Sequence, residues 1–238
     1  MATYFLLAVM FGAWVFIQGA GLDIQALATS ICYYGMVPAE LTHPVLVGKV
    51  ALGNGLSCQL TSAPINLLTP LFSMFLHGSW AHLLGNALFF WVFGNNIEDS
   101  MGRLRFIAFY VACGLIAAAT QVFINPNSMV PMVGASGAIS GVLGAYLILY
   151  PRVRVRVFMF FLIVSLPAWL VLLEWIGLQV MMGLPQLSRF NPNVATGVAV
   201  WAHIGGFVAG MVLVKFFEDR GLVRERVASG RRSRPIRW

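Results

Sequence analysis

The sequence of 238 residues has few charged side chains, since only 10% of its residues are Asp, Glu, Lys or Arg. Soluble domains carry about 25% charged residues, so this deficit excludes an ordinary soluble globule. It also excludes a disordered chain and a nucleic-acid-binding domain, because both need many charges. The hydrophobic share of 59% and the mean hydropathy of +0.83 instead predict an integral membrane protein whose partner is the lipid bilayer and not a nucleic acid.

Cysteine and acidic residues are also scarce, with three cysteines and eight carboxylates in the chain. Cys32, Cys58 and Cys113 do not have the spacing of a metal site, and whether Cys32 pairs with Cys58 stays open. His82 and His203 would supply two nitrogen ligands, but no carboxylate or cysteine accompanies them at ligand spacing. We therefore expect neither a metal ion nor a cofactor.

Long apolar stretches are what the sequence has in abundance. A membrane-spanning helix needs about 20 predominantly apolar residues, and the chain contains six stretches near that length. They predict an all-α polytopic membrane protein with a six-helix bundle. The first is expected to be a retained helix, because it lacks the basic n-region and the cleavage site of a signal peptide. The six stretches are Ala2–Gly21, Trp80–Ile97, Phe106–Ile124, Gly134–Tyr150, Val157–Met182 and Val194–Phe217.

The remaining segments complete the domain organisation. Residues 23–79 form a long connection that contains prolines yet stays apolar, which predicts a folded element lying partly in the headgroup layer. Residues 1–217 are then one membrane domain, and residues 218–238 are a basic tail.

Basic residues are distributed unevenly among the connections. Thirteen of the fifteen lie in the connections after the second and fourth stretches, in the tail and, as Lys215, at the end of the sixth stretch, whereas Lys49 and Arg189 lie on the other side. The positive-inside rule places the thirteen in the cytoplasm. We therefore expect a multi-pass protein with both termini in the cytoplasm. Because no transit peptide is apparent, we expect its membrane to be a bacterial inner membrane. The oligomeric state stays open.

Polar residues inside a bilayer are expensive, so those that occur are candidates for function. Ser136 opens the fourth stretch, beside a glycine face formed by Gly134, Gly137, Gly141 and Gly144. Taken alone, such a face is best explained by close helix packing. The sixth stretch has a second small-residue face, Gly206 and Gly210, next to His203. If the two faces pack together, serine and histidine meet as a nucleophile and its base.

A second polar pair lies in the second stretch. His82 and Asn86 are four residues apart and share one helix face, so they form either an interhelical clamp or a pair of oxyanion donors. His77 lies just outside that helix and would brace the loop. Glu174 is the one carboxylate within an apolar stretch, and facing water or a backbone donor suits it better than orienting His203. The residues therefore favour a Ser–His dyad over a triad.

Together these motifs resemble those of the rhomboid family of intramembrane serine proteases. The resemblance rests on His82-x-x-x-Asn86, on Gly134-x-Ser136-Gly137 and on Ala202-His203-x-x-Gly206, each in the matching helix. It implies a six-helix bundle in which Ser136 is the nucleophile and His203 the base. It also implies an oxyanion hole of His82, Asn86 and the Ser136 backbone N–H, with Gly134 and Gly137 leaving space around the nucleophile. Ser140 is a poorer nucleophile because Ala138 and Ile139 precede it.

The function expected from this resemblance is cleavage of transmembrane proteins in or near their membrane segment. Two other classes stay open. A non-catalytic membrane scaffold or quality-control protein of the same fold would bind helices without needing Ser136. A small transporter or channel would need a polar path across the bilayer, whereas the polar residues here cluster at one depth.

Overall fold

The structure, a computed structural model, describes residues 1–43, 48–53, 56–60, 66–159, 161–187 and 199–223. The chain is mostly helical. The helices are α1 (Ala2–Gly12), α2 (Ile24–Tyr34), α3 (Pro38–Thr42), α4 (Thr69–Phe72), α5 (Trp80–Met101), α6 (Arg103–Ile124), α7 (Ser136–Leu149), α8 (Ala168–Leu187) and α9 (Val200–Phe217). The strands are β1 (Gly48–Gly53), β2 (Leu56–Leu60), β3 (Arg154–Met159) and β4 (Leu162–Pro167).

The first predicted helix is present. α1 continues through a wider helical segment at Ala13–Ile17 and ends in a tight turn at Gly19–Gly21. The first turn of a helix has backbone N–H groups without partners inside the helix. Here the carboxylate of Glu98 accepts from the N–H groups of Ala2, at 2.7 Å, and Thr3, at 2.8 Å. A side chain from α5 therefore fixes the start of α1.

The long connection after α1 contains helices and a hairpin in its described part. α2 begins at the cap residue Asp23, and a disulfide joins Cys32 of α2 to Cys58 of β2. β1 and β2 form an antiparallel hairpin. A short antiparallel bridge between Met36 and Met132 ties this element to the loop that precedes α7. The pairing of Cys32 with Cys58, left open by the sequence, is thus present in the structure.

The predicted fifth helix is wrong over about its first two fifths. Residues from Val157 to Pro167 belong to the antiparallel β3–β4 hairpin, which pairs Arg154 with Pro167, and the helix begins only at Ala168. Exposure alternates at the start of this hairpin, since Val153 and Val155 are buried whereas Arg154 and Arg156 are exposed. Alternation with a period of two is typical of a strand. In the sequence the long apolar run after Arg156 masks this alternation. With two hairpins the fold is mostly helical and not strictly all-α.

Three of the described helices are long and apolar enough to cross a membrane. They are α6, the segment Ala168–Pro185 of α8, and α9. Ala2–Ile17 and α7 are apolar but shorter. The count of six spans therefore stays a prediction. The part of the sixth predicted stretch that precedes residue 199 lies outside the described residues.

The connections that carry arginine meet at one end of the bundle. Ser100, near the end of α5, contacts the hydroxyl of Tyr150 after α7. The N–H of Asp219, after α9, donates to the carbonyl of Ser100 at 2.8 Å, and Asp219 also pairs with Arg105 of α6 at 3.6 Å. Because Ser136 begins α7 and Tyr150 follows its end, Ser136 lies at the opposite end of the bundle.

Candidate active site

A glycine with unusual backbone geometry precedes Ser136. Gly134 has φ +128°, a region that L side chains rarely adopt. A Cβ at this position would also lie 2.7 Å from the imidazole Nε2 of His82. The N–H of Gly134 donates to the carbonyl of Ser73 at 2.8 Å. Gly134 therefore lets the loop pass close to α5 and turn directly into α7.

Two glycine faces bring α7 and α9 into backbone contact. A Cβ on Gly206 would overlap the carbonyl oxygen of Gly137, and a Cβ on Gly210 would overlap the carbonyl of Gly141. Small residues allow this approach in membrane bundles. The structure thus packs together the two faces whose contact the sequence left as a condition. It aligns the start of α7 with the first turns of α9.

Ser136 and His203 meet across this contact. The Ser136 Oγ lies 2.7 Å from Nε2 of His203, within the hydrogen-bond reach expected of a nucleophile and its base. A glutamine of α6 fixes the backbone beside the histidine, since Oε1 of Gln121 accepts from the N–H of Ala202 at 3.2 Å. The structure therefore brings together the two residues that the sequence paired.

His82 and Asn86 stand on one face of α5, next to Gly134. The N–H of Gly78 donates to Nδ1 of His82 at 3.5 Å, which leaves Nε2 as the protonated nitrogen facing Gly134. Asn86 is 9% exposed, and its Nδ2 has no hydrogen-bond partner among the described residues. Leaving a buried donor unpaired costs about 1–3 kcal/mol. Two donors thus lie beside Gly134, two residues before Ser136.

His77 is fully buried and lies behind this pair. The side-chain amide of Gln18 binds both backbone polar groups of His77. It accepts from the His77 N–H at 2.8 Å and donates to the His77 carbonyl at 2.7 Å. The His77 ring centroid is 5.2 Å from that of His82. Burial, together with the nearby His82, lowers the pKa of His77 to about 3, so the ring is neutral at physiological pH. His77 therefore supports His82 by packing, not by charge.

Two other candidates from the sequence lie outside this cluster. Ser140 is buried, and its hydroxyl donates to the carbonyl of Ser136 at 2.6 Å, so it helps to shape the first turn of α7. The side chain of Glu174 is exposed on α8. Oε1 of Gln179 contacts Nδ1 of His203 instead. This agrees with the expectation that Glu174 does not orient His203.

Sequence reasoning missed two residues of α8 that contact His203. Gln179 lies 2.8 Å from Nδ1 of the histidine, and the Trp175 ring centroid lies 5.8 Å from that of His203. The signal was available, because a glutamine inside an apolar stretch is as unusual as a serine there. The sequence does not show, however, which side of α8 this glutamine faces. Among the described residues, no group of three His, Cys, Asp or Glu side chains is placed to hold a metal ion.

Comparison with known proteins identifies similar chains. The family model described as "Rhomboid domain" matches residues 65–219, a range that contains all of the site residues named above except Gln18. The chain is 32% identical over 156 residues to "Putative rhomboid protease YdcA" of Bacillus subtilis, a match covering 65% of this chain and 69% of that protein.

Two further relatives match over smaller shares of their own length. The chain is 41% identical over 81 residues to "Rhomboid protease GluP" of Bacillus subtilis, which covers 34% of this chain and 15% of the relative. It is 25% identical over 164 residues to "Rhomboid protein 1, mitochondrial" of Saccharomyces cerevisiae, which covers 65% of this chain and 42% of the relative. The chain therefore spans less than half the length of these two proteins.

Proposed function

The chain belongs to the rhomboid family, and from this premise we propose that it is an intramembrane serine endopeptidase. It would cut transmembrane protein substrates in or near their membrane segment. The observation that carries the proposal is the 2.7 Å contact between the Ser136 Oγ and Nε2 of His203 at the start of a buried helix. Rhomboid membership also supports a protein embedded in the bilayer.

The reaction follows from the roles of these two side chains. The Ser136 Oγ attacks the scissile carbonyl carbon while Nε2 of His203 takes the hydroxyl proton. The tetrahedral intermediate then expels the amine, which leaves with the proton returned by His203. Water repeats the sequence on the acyl-enzyme ester and releases the carboxylic acid. Every proton that moves in this scheme passes through one imidazole nitrogen.

The negative charge of the tetrahedral intermediate needs preorganised donors. Nε2–H of His82 and Nδ2 of Asn86 flank Gly134, two residues before the nucleophile. The N–H groups in the first turn of α7 have no partners within the helix, and they carry the positive end of its dipole. We assign the oxyanion hole to His82, Asn86 and the N–H of Ser136. Gly134, Gly137 and Gly206 leave room for the backbones that carry these groups.

The short length of α7 supports a site below the membrane surface. Its 14 residues rise about 21 Å, whereas the hydrocarbon layer is about 30 Å thick. Its far end is next to the arginine-bearing connections, which the positive-inside rule assigns to the cytoplasm. Ser136 would then lie beneath the external surface, on the side of the Cys32–Cys58 disulfide, and disulfides persist in oxidising compartments.

The domain bounds and the orientation in the membrane follow from the same charge distribution. We propose that residues 1–217 form one membrane domain with both chain termini in the cytoplasm, and that residues 218–238 form a basic cytoplasmic tail. The matches to two Bacillus subtilis proteins support a bacterial plasma membrane. A substrate would have to expose its carbonyls there, so a locally unwound membrane segment suits this site better than a continuous helix.

The test is cleavage by the purified full chain in liposomes. A single-span protein with a glycine-containing membrane segment serves as the substrate, and mass spectrometry locates the cut. The same preparation is treated with a fluorophosphonate probe, which labels only an activated serine. We expect two fragments, with the new ends in or near the membrane segment, and a label on Ser136. Bound but uncut substrate together with an unlabelled Ser136 would favour the non-catalytic scaffold.

One prediction concerns the oxyanion donors. Asn86→Ala should slow cleavage by about 10²–10³-fold, the usual cost of removing one such donor, and it should leave measurable activity. The matched control is Asn95→Ala, on the same helix but at its other end, where the amide donates to the carbonyl of Trp91 at 3.4 Å. Initial rates in liposomes provide the measurement. An Asn86→Ala protein that cleaves at the wild-type rate would remove Asn86 from the oxyanion hole.

A further inference from the structure

A glutamine, and not a carboxylate, faces the second nitrogen of the proposed base. We infer that Gln179 is a positioning residue that holds His203 in the tautomer and orientation needed to accept a proton from Ser136. The observation is the 2.8 Å contact between Oε1 of Gln179 and Nδ1 of His203. This inference rests on the proposed function, because it gives Gln179 a role in that same reaction.

The tautomer follows from the two contacts of the imidazole. Nε2 can accept the Ser136 proton only if it carries a lone pair, so the single proton of the neutral ring must sit on Nδ1. Nδ1–H then needs an acceptor, and Oε1 of Gln179 is the acceptor within reach. Without it, the proton could move to Nε2, and His203 would face the serine as a donor. Serine proteases use aspartate for this purpose and some cysteine proteases use asparagine, so an amide suffices.

The position of Gln179 on α8 is set by a packed face. Leu172, Trp175, Gln179 and Gly183 follow one another at intervals of three or four residues, so they share one side of the helix. Leu172 is buried, and the Trp175 ring is 5.8 Å from His203. A Cβ on Gly183 would lie 3.3 Å from the Trp201 ring of α9. These contacts hold Gln179 opposite His203.

The other face of α8 makes little contact with the bundle. Leu173, Leu178, Met181 and Leu184 are 49%, 56%, 67% and 51% exposed. Gln179 is thus a polar side chain on the packed face of a mostly apolar helix. A polar group at such a position is costly unless it is paired. Its partner in the structure is the proposed general base, which is why we assign it to the reaction and not to solubility.

The experiment compares substitutions that keep or remove the acceptor. Gln179→Met has a similar shape but no carbonyl, whereas Gln179→Glu retains an oxygen at the same place. Gln179→Asn retains an amide but withdraws it by one methylene, which is about 1.5 Å. The control is Leu178→Met on the exposed face of the same helix. The first readout is the rate at which a fluorophosphonate labels Ser136 in the full chain in liposomes, normalised to folded protein. The second is the split between kcat and KM for the cleaved substrate.

A positioning role predicts a specific pattern. Gln179→Met and Gln179→Asn should label about a hundredfold more slowly than the wild type, because a misplaced base loses about that much. Their kcat should fall while KM stays unchanged, and Gln179→Glu should recover most of the rate. Leu178→Met should behave as the wild type. If Gln179→Met does not fold, Gln179→Asn decides the outcome in the same assay.

The contrary results separate this inference from the proposed function. If the wild type is labelled and the folded Gln179→Met or Gln179→Asn variant is labelled equally fast, the role of Gln179 is overturned. The proposed protease function would then still stand. A Gln179→Glu protein as slow as Gln179→Met would also overturn it, since the acceptor would not matter. A wild-type protein whose Ser136 resists the probe would overturn the proposed function, and this inference with it.

Discussion

Ser136→Ala should abolish proteolysis and fluorophosphonate labelling while leaving a folded protein. Removal of a serine nucleophile costs about 10⁶-fold in turnover in serine proteases, which should bring cleavage below detection. The substitution removes one oxygen from a residue that already sits between Ala135 and Gly137. It therefore creates no clash, and the lost contact to His203 is worth only about 1 kcal/mol. Thermal unfolding should barely change.

Ser140→Ala is the matched control for this prediction. Ser140 lies one turn further along α7 and is fully buried, but its hydroxyl donates to the carbonyl of Ser136 and not to His203. Its loss should change the unfolding temperature by as little as Ser136→Ala does and should leave cleavage near the wild-type rate. Both variants are assayed with the same liposome substrate and probe. Inhibitor-sensitive cleavage by Ser136→Ala would show that another residue is the nucleophile.

The proximity of Ser136 and His203 could be predicted because close helix packing leaves a local signature, which is glycine at intervals of three or four residues. Gly206 and Gly210 have no function except to bring backbones close, and the only comparable face begins beside Ser136. Once two such faces must pack, the side chains at their common end have to meet. The rhomboid resemblance, which rests on the same motifs, implies the same pair. The proximity of Ser136 to His203 thus followed from the glycines of the two packed faces and from the two polar side chains.

The β3–β4 hairpin could not be predicted in the same way. Its apolar tip continues directly into α8, and hydropathy alone does not distinguish a short strand from the start of a helix. Arg154 and Arg156 alternate with buried valines, but two alternations are a weak signal beside a run of more than twenty apolar residues. The boundary is set by Pro167, which is the last residue of β4 and immediately precedes α8.

Gln179 could not be assigned from the sequence for a different reason. Its role depends on which side of α8 faces α9, and the helix has small and large apolar residues on every side. Only the packing of Trp175 and Gly183 against α9 fixes that rotation. The pairing of Cys32 with Cys58 was open for a similar reason, since their meeting depends on the β1–β2 hairpin folding back onto α2. Long-range contacts of this kind leave no local periodicity.

The contact between α7 and α9 leads to the second large effect, which is Gly210→Leu. A Cβ on Gly210 would overlap the carbonyl carbon, carbonyl oxygen and Cα of Gly141. Overpacking costs about 1–3 kcal/mol where side chains can shift, but here the backbones of two helices have to separate. We expect little folded protein and no detectable cleavage. Gly210→Ala should be intermediate, with a lowered unfolding temperature and slower cleavage, because about 1 Å of misplacement costs about a hundredfold in rate.

Gly177→Leu provides the control for the same chemical change. Gly177 is also inside a long apolar helix, but a Cβ there meets no atom within 4 Å. Leucine is a better helix former than glycine by somewhat under 1 kcal/mol, so this variant should be as stable as the wild type and as active. Size-exclusion profiles, unfolding temperatures and initial rates compare the set. If Gly210→Leu matched Gly177→Leu in all three, α9 would not be held against α7 by backbone contact, and the 2.7 Å approach of His203 to Ser136 would need another cause.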